Sequence, residues 1–551
     1  MRILAMWLLP ALPLLAQIGG SGSIQGVVSD PSGAVIPGAS VVAINVATGV
    51  KTARQTTASG LYLISPLVPG EYTVTVAAGG FQTLFLEHVI VDALSEVGLN
   101  FTMKIGAAAE QVTITDTPPQ LNTVDASLGQ TIRNEQYTAL PLAMGNAPRD
   151  PTAFIALMPG VQGSGSNAAG GLYGGQANSQ EVYVEGMPLT NSAVQGEVRN
   201  LALGVSVEAV EQFQEETAGA AVMFNGQGAS NFVVKSGTNQ FHGAGYEYFR
   251  NTHLDARGFF ARTRPAEHQN EYGVNVGGPI KKNRLFFFGS WDGFRYRTGT
   301  APTLVSIPTA AARAGDFSAF GVGIFDPAST NCASGPCART QFPGNVIPAS
   351  RISAASKFLQ SSLPTPINLN LQNNYLGSLP TGFNNDNTTD KVDYNLNDKS
   401  RFFVLFSRGH RSQSNLYRGA GNSLPLPYTD TRLVDEYTAT AQFKYVYVVR
   451  PNLLNEVNYS FSQLWVPITN ATINGDWMNK AGVKGLPSGE AASSFPEVAW
   501  GGPNVPAGWR GTNSRGFIEA LNNYSLQDNV QWISRQACGD LRYSDPMAAG
   551  Q

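Results

Sequence analysis

The chain of 551 residues carries 36 lysines and arginines against 39 aspartates and glutamates, a formal net charge of −3 with a pI of about 6.0. It therefore has no basic field to attract a polyanion, and nucleic-acid binding is excluded. Only 14% of residues are charged, against about 25% in soluble domains, and 59 glycines accompany 10% aromatic residues, which favours β-structure facing something other than water. Three cysteines exclude a disulfide scaffold, and a mean hydropathy of −0.10 excludes a polytopic helical membrane protein.

The N-terminus has the pattern of an export signal. Arg2 precedes an apolar run from Ile3 to Leu15, and Ala16 before Gln17 is a suitable cleavage position. We expect residues 1–16 to be a signal peptide. No later stretch reaches the roughly 18 apolar residues of a spanning helix, so membrane residence would require a closed β-barrel, which also satisfies every backbone polar group in lipid.

Residues 21–105 have the pattern of an Ig-like β-sandwich. Short alternating runs such as 40–44 and 71–76 are separated by turn sequences including Pro37-Gly38 and Pro69-Gly70. The landmarks at 26–33, 57–62 and 67–72 resemble the carboxypeptidase regulatory-like domain, a member of the carbohydrate-binding-like fold. We expect Tyr62 and Tyr72 to pack in its core, with sugar stacking as the alternative.

The sequence offers no catalytic constellation. His268 and Glu271 have a metal-ligand spacing, but they lie between strand-like segments with only His410 downstream, so a zinc peptidase site is not predicted. No Ser-x-x-Lys nucleophile and no phosphate-binding glycine loop occur. We predict a non-enzyme without catalytic residues, metal ligands or cofactors.

A linker is predicted over residues 106–119. Its alternating segment Gln111, Val112, Thr113, Ile114 and Thr115 is stopped by Pro118 and Pro119. The segment is consistent with one more edge strand. In this position it also resembles the Ton box, through which TonB-dependent transporters offer a strand to the periplasmic protein TonB, a contact made by main-chain hydrogen bonds.

Residues 120–238 carry ordered landmarks. The pattern predicts short helices over 132–142 and 154–161 and a strand over 181–188, followed by Lys235-Ser236-Gly237-Thr238-Asn239. This series resembles the plug domain of Oar-like TonB-dependent receptors. Glu185-Gly186 replaces the more usual Asp-Gly, a change that a turn tolerates.

Residues 239–533 change to period-two strands rich in aromatic residues, and Phe241 to Asn251 resembles the first barrel strand of the same family. Between 438 and 445, and again between 457 and 462, apolar and polar residues alternate, as in outer-membrane barrels with an apolar outside and a polar inside. The turn at 397–400 fits a periplasmic hairpin, and the insertions 297–385 and 470–515 fit extracellular loops. Cys332 and Cys337 lie in the first insertion, as a local disulfide or as two free thiols.

About eight strands can be marked, near 241–250, 270–279, 284–294, 389–396, 401–409, 436–448, 455–465 and 523–533. A plugged lumen is a property of barrels with about 22 strands. Alternation stops after the last strand, and residues 534–551, with Cys538, read as an aberrant tail. We therefore expect a C-terminally truncated copy with a partial barrel.

The predicted fold class is mainly β: an Ig-like sandwich, an α+β plug and a partial antiparallel transmembrane β-barrel. The resemblance implies an outer-membrane TonB-dependent transporter of a Gram-negative-type bacterium, with TonB, outer-membrane lipid and an extracellular substrate as partners, carbohydrates and peptides being candidate substrates. The alternative is a cell-surface carbohydrate-binding or adhesion protein that does not transport.

Overall fold

A computed structural model describes residues 20–106, 111–114, 128–139, 148–149, 161–164, 167–172, 180–189, 205–218, 228–259, 264, 266–299, 302–333, 336–417, 424–429, 431–486, 493–499, 508–509 and 516–532. The expected signal peptide, residues 154–160 of the helix expected over 154–161, Thr115, Cys538 and the tail 534–551 lie outside these residues. Val161, the last residue of that expected helix, begins a strand instead. No helix in the described part is long and apolar enough to cross a membrane.

The N-terminal region is a sandwich of two sheets. Its strands are β1 (Gly22–Ser29), β2 (Ser40–Asn45), β3 (Lys51–Gln55), β4 (Leu61–Leu67), β5 (Gly70–Ala77), β6 (Thr83–Val91), β7 (Glu96–Gly98), β8 (Phe101–Thr102) and β9 (Gln111–Ile114). One sheet has the order β4-β1-β7, with β8 also paired to β1, and the other has the order β3-β2-β5-β6-β9. Period-two alternation in β2 and β5 sends every second residue into the core between the sheets.

Both conspicuous tyrosines of the sandwich lie in this core. Tyr62 and Tyr72 are each 3% exposed, and their hydroxyls donate to the carbonyl oxygens of Leu99 and Val68, each at 2.7 Å. A buried phenol satisfied by a backbone acceptor is a packing residue. The prediction that these rings pack in the core is therefore confirmed.

The region that follows has a sheet with the order β10-β15-β16-β13-β14 and a separate β11-β12 ladder. Its elements are β10 (Leu128–Arg133), α1 (Asn134–Ala139), β11 (Val161–Ser164), β12 (Asn167–Leu172), β13 (Gln180–Val184), β14 (Met187–Pro188), a 3₁₀ turn (Val207–Ala209), β15 (Val210–Ala218) and β16 (Gly228–Val234). The helix expected from Ile132 begins only at Asn134, because Ile132 and Arg133 pair with β15. The strand expected over 181–188 is a hairpin that reverses at Glu185-Gly186.

The third region is an antiparallel sheet of eight strands in the order β17-β18-β19-β22-β23-β24-β25-β28. These strands are β17 (His242–Asn251), β18 (Glu267–Lys281), β19 (Leu285–Gly299), β22 (Pro380–Asn397), β23 (Ser400–Tyr417), β24 (Thr431–Arg450), β25 (Leu453–Asn470) and β28 (Phe517–Trp532). All eight strands predicted from alternation are present, most of them several residues longer than predicted. The backbone hydrogen bonds between strands continue beyond the segments in which apolar and polar residues alternate, because backbone pairing does not require that alternation.

The two faces of this sheet have opposite chemistry. On β24, Thr438, Gln442 and Lys444 are buried, whereas Phe443 and Tyr447 are each 42% exposed. On β25 the same alternation buries the polar residues 458 and 460. A water-soluble sheet buries its apolar face, so this inverted pattern is that of a sheet whose outer face meets lipid. The predicted apolar-out, polar-in alternation is confirmed.

The two ends of the sheet also differ. Residues 282–284, 398–399 and 451–452 form short turns at one end, whereas the other end carries the long connections 300–379, 418–430 and 471–516. The elements within the long connections are β20 (Thr303–Val305), α2 (Ala310–Arg313), α3 (Ala354–Gln360), β21 (Tyr375–Gly377), α4 (Trp477–Lys480), β26 (Val498–Ala499), β27 (Gly508–Trp509) and 3₁₀ turns at Ser318–Phe320, Pro327–Ser329, Pro343–Asn345 and Ala349–Arg351.

The long connections pack on one another. Ile307, Tyr428, Phe495 and Trp509, from three separate connections, share one buried cluster, and the Tyr428 hydroxyl donates to the carbonyl of Leu359 at 2.8 Å. This loop cluster gives the long-connection end of the sheet a hydrophobic core of its own.

The sandwich core generates a stability prediction. Ile64 is fully buried, so Ile64→Ala should remove about 2–4 kcal/mol from the free energy of unfolding of the sandwich by loss of burial and creation of a cavity. Pulse proteolysis of the N-terminal region in urea, on the full chain in detergent, measures this change. The control Ile105→Ala removes the same atoms from a side chain that is 79% exposed, and an equal loss in both variants would contradict the assigned core.

Candidate functional site: the contacts that hold the plug region and the segment Gln111–Ile114

Arg149 joins two regions of the chain. One is the eight-stranded sheet, and the other consists of β10 to β16 with residues 148–149 and is called the plug region below. Nε of Arg149 donates to Oε1 of Glu271 on β18 at 2.9 Å, and its terminal nitrogens reach Glu208 of the plug region at 3.2 Å. The guanidinium also lies over the rings of Tyr246 and Tyr248 on β17, at 5.3 and 3.9 Å from their centroids. A planar guanidinium combines ion pairing with aromatic stacking, and this one is anchored to two neighbouring strands at once.

The hairpin between β13 and β14 makes a second contact. Glu185 and Gly186 both have positive φ, 52° and 78°, as a two-residue turn with primed geometry requires. Glycine adopts this conformation at no cost, whereas a glutamate there is strained. The structure supplies the compensation: Oε1 of Glu185 accepts from the Val234 amide at 3.0 Å, and the Gly186 amide donates to Asn231 at 3.0 Å.

The same carboxylate pairs with the sheet. Nζ of Lys391 on β22 donates to Oε1 of Glu185 at 2.6 Å and to the Val234 carbonyl at 3.1 Å, with the two charged side chains 4% and 3% exposed. Gln442 on β24 donates to the Glu185 carbonyl at 3.1 Å. Removing one member of such a buried pair leaves a charge without compensation, at a cost of about 3–5 kcal/mol.

An apolar contact runs beside these charges. Val182, Phe213 and Phe232 of the plug region form one buried cluster with Phe288 of β19 and Leu405 of β23. The plug region therefore completes its core on the sheet and does not fold around an isolated interior. Further along the same face, Lys444 and Glu456 pair at 3.5 Å, so the polar face continues past the hairpin.

The sandwich lies against the short-turn end of the sheet and against the plug region. Arg133 on β10 forms a bidentate pair with Asp92 of the sandwich at 2.9 and 2.7 Å, and this pairing raises the pKa of Arg133. The backbone N–H and the side-chain amide of Asn239 donate hydrogen bonds to the carbonyl oxygens of Ala47 and Thr48 in the sandwich. Leu63 packs with three residues of β24 and β25, which are Val446, Val448 and Leu454.

The segment predicted as an edge strand or a Ton box is part of the sandwich. Gln111, Val112, Thr113 and Ile114 form β9, which pairs in parallel with β6 from Thr83 to Leu86 and is the edge strand of its sheet. The predicted linker thus contributes the last strand of the sandwich. Whether β9 also meets TonB stays a prediction.

Cys332 and Cys337 are joined by a disulfide with their Cα atoms 4.1 Å apart. The connection lies in the long insertion between β19 and β22, where the Asn331 and Ala338 backbones exchange two hydrogen bonds of 2.9 Å. A short bridge of this kind holds a local turn and ties no distant elements together.

Of these contacts the sequence indicated only some. It marked Glu185 as a departure at a turn but gave no sign of its partner Lys391, which is 206 residues away. The sequence around Arg149, which is followed by an Asp-Pro step, contains no recognisable motif. Glu271 was considered only as half of a metal-ligand spacing, and in the structure its carboxylate binds Arg149.

The sheet of inverted polarity is typical of an outer-membrane β-barrel protein, and comparison with known proteins agrees. Residues 233–536, more than half the chain, match the family described as outer membrane beta barrel domain, and residues 23–104 match the carboxypeptidase regulatory-like domain. The chain is 26% identical over 250 residues to the TonB-dependent transporter Oar of Myxococcus xanthus, which covers 43% of this chain and 23% of that protein.

Solved structures that the chain matches include the outer membrane transporter YddB of Escherichia coli, at 11% identity over 75% of this chain and 46% of that one with a TM-score of 0.43. The siderophore receptor PirA of Acinetobacter baumannii is 14% identical over 74% of this chain and 45% of that one, with a TM-score of 0.39. The chain spans less than half the length of each of these relatives.

The chain belongs to the outer membrane beta barrel domain family. The predicted fold class, the regulatory-like domain and the likeness to TonB-dependent receptors are confirmed, and the protein resides in the outer membrane of a Gram-negative bacterium.

The Arg149 contact gives a prediction about the plug region. Glu271→Gln removes one carboxylate from a pair whose side chains are 6% and 8% exposed, so opening of the plug region should become easier by about 3 kcal/mol. Hydrogen exchange of peptides covering 205–218, in the full chain, reports this opening. Glu247→Gln, an exposed carboxylate on neighbouring β17, is the control, and unchanged exchange in Glu271→Gln would contradict the anchoring role.

The disulfide gives a second prediction. Peptide mapping of the exported protein without reductant should recover Cys332 and Cys337 in one peptide in which neither thiol is alkylated, and reduction before alkylation should label both. Cys332→Ser supplies the reference for a free Cys337. Recovery of two alkylated cysteines from the unreduced wild type would show that the bond does not form in the exported chain.

Proposed function

We propose that the protein is an outer-membrane receptor that takes up an extracellular substrate and whose plug region is moved by TonB acting on β9. The observation that carries the proposal is the plug region itself, held to the polar face of a lipid-facing sheet by buried charge pairs at Arg149 and Glu185. Contacts of this kind are strong and few, so they suit a part that stays closed until force is applied. We propose a transport role without catalysis.

The edge position of β9 supports TonB as the partner. β6 pairs with one side of β9, and no described strand pairs with its other side. An unpaired strand edge accepts an incoming strand through main-chain hydrogen bonds. TonB would add to this open side, extending the sheet β3-β2-β5-β6-β9 by one strand.

The contacts of the sandwich give a route for the force. β9 is bonded to β6, and the sandwich is bonded to the plug region through Asp92 and Arg133. A pull on β9 would therefore load the sandwich first and reach β10 through that bidentate pair. The sandwich is in this proposal the mechanical link between TonB and the plug region.

The substrate would enter at the opposite end, where the long connections share the loop cluster. Carbohydrates and peptides stay candidate substrates. The alternative of a glycan-binding surface protein loses its simplest support, because Tyr62 and Tyr72 are buried and offer no face for sugar stacking.

Proline substitutions in β9 test the TonB contact without a known substrate. The N–H groups of Val112 and Thr113 point to opposite sides of the strand, so one proline variant loses an N–H that faces β6 and the other loses an N–H on the open side. With a photo-crosslinking amino acid at position 111, the protein should crosslink to TonB in cells. The proline that removes the N–H on the open side should reduce the crosslink to background. The proline that removes the N–H facing β6 should leave the crosslink unchanged.

Val112→Ala and Thr113→Ala are the matched controls, because they change the side chains and retain both N–H groups. Surface assembly of every variant is checked by extraction from the outer membrane. A parent protein that gives no crosslink to TonB, or two proline variants that crosslink like their alanine controls, would contradict the proposal.

A further inference from the structure

A basic cavity lies between the sandwich and the short-turn end of the eight-stranded sheet. Its volume is about 260 Å³, and its walls come from β3 and the turn before it on one side and, on the other, from the chain reversals at 282–284 and 398–399 and from β24 at Val446 and Val448. Its charged lining residues are Lys51, Arg54, Arg284, Asp398, Lys399 and Arg401. Five cations thus surround one carboxylate, and the excess of positive charge is not neutralised by the lining itself.

Arg54 is the buried member of this set. It is 7% exposed, and its guanidinium donates to the carbonyl oxygens of Ala53 at 2.8 Å, Asp398 at 3.1 Å and Ser65 at 3.4 Å. Within the described part of the chain, no carboxylate forms an ion pair with Arg54. Burying a cation with dipoles alone for partners is costly, because carbonyl groups do not replace a counter-charge.

A second arginine adds to this cost. Arg401 lines the same cavity and donates to the Ser21 hydroxyl at 3.2 Å. None of the described carboxylates lies within ion-pairing distance of it, and those of Glu456 and Asp393 attract its charge only from farther away. Burial and, to a smaller extent, the nearby charge of Arg401 together lower the pKa of Arg54 to about 10, against a smaller opposite effect of Asp398. The folded chain therefore brings two like charges together where an anion between them would relieve both desolvation and repulsion.

The geometry of the donors indicates the class of anion. Three planar guanidinium groups, on Arg54, Arg284 and Arg401, and two ammonium groups, on the exposed Lys51 and Lys399, line the cavity from separate parts of the chain. A guanidinium group donates two parallel hydrogen bonds, and an ammonium group is a compact positive charge. Together they suit a tetrahedral oxyanion with several acceptor oxygens. A cavity of this size holds such a group together with bridging water.

We propose that the basic cavity binds a phosphate group, which bridges β3 of the sandwich to the turn at 398–399 and so fixes the sandwich on the sheet. The phosphate comes either from a free phosphate-bearing solute or from a lipid headgroup at the short-turn end of the sheet. The site is distinct from the TonB contact at β9, and it does not depend on a transport role.

Calorimetry on the full chain in lipid-free detergent tests the site with inorganic phosphate as the probe, at constant ionic strength in chloride. The variant Lys51→Gln with Lys399→Gln removes two exposed charges from the lining and leaves the buried arginines in place. Its dissociation constant for phosphate should rise by about tenfold or more, the equivalent of 1.4 kcal/mol. The charge-matched control Lys104→Gln with Lys484→Gln, at exposed positions outside the lining, should bind phosphate as the wild type does, within about twofold.

Repeating the titration in nanodiscs of phosphatidylglycerol separates the two sources. Loss of the phosphate signal in these discs assigns the site to a lipid headgroup, whereas an unchanged signal assigns it to a free solute. Absence of phosphate binding by the wild-type chain in detergent would overturn the proposal, and so would an equal weakening in the lining variant and its control.

Discussion

A sheet that meets hydrocarbon on one face must place its polar side chains on the other, and the rest of this protein depends on that constraint. Neighbouring strands pair their backbone groups with one another, and the side chains sort by face, with Phe443 outward and Lys444 inward. The inward face is thus rich in charge and amide groups. It can hold another part of the chain by ion pairs that water does not reach.

The plug region uses this face in two ways. Its hairpin turn sends the Glu185 carboxylate to Lys391, and Arg149 reaches Glu271 while it stacks on β17. Beside both pairs, apolar residues of the plug region meet Phe288 and Leu405. The charge pairs set the register of the plug region on the sheet, because a shifted register would leave buried charges unpaired. The apolar contact adds burial but is less specific about position.

Much of the architecture could be predicted from local signals. Turn sequences such as Pro69-Gly70 and period-two alternation depend on neighbouring residues, so the sandwich and the eight strands followed from the sequence. Contacts such as Glu185 with Lys391 join residues far apart in the chain, and nothing local marks them. The strand β9 shows the intermediate case: its strand character was evident, but its pairing with β6 depends on how the linker folds back. The cavity around Arg54 could not be predicted from local sequence, since its cations come from segments about 350 residues apart.

The loop cluster bears on how the outer surface can change over evolution. Tyr428 comes from one connection and both Phe495 and Trp509 from the next, and the three rings share one interior. An insertion that displaces the aromatic side chain of one connection opens a void against the aromatic side chains of the other. Such loops do not vary as independent modules. A new recognition surface at this end must arise by coordinated change in several connections, or by substitution of side chains that point away from the shared interior.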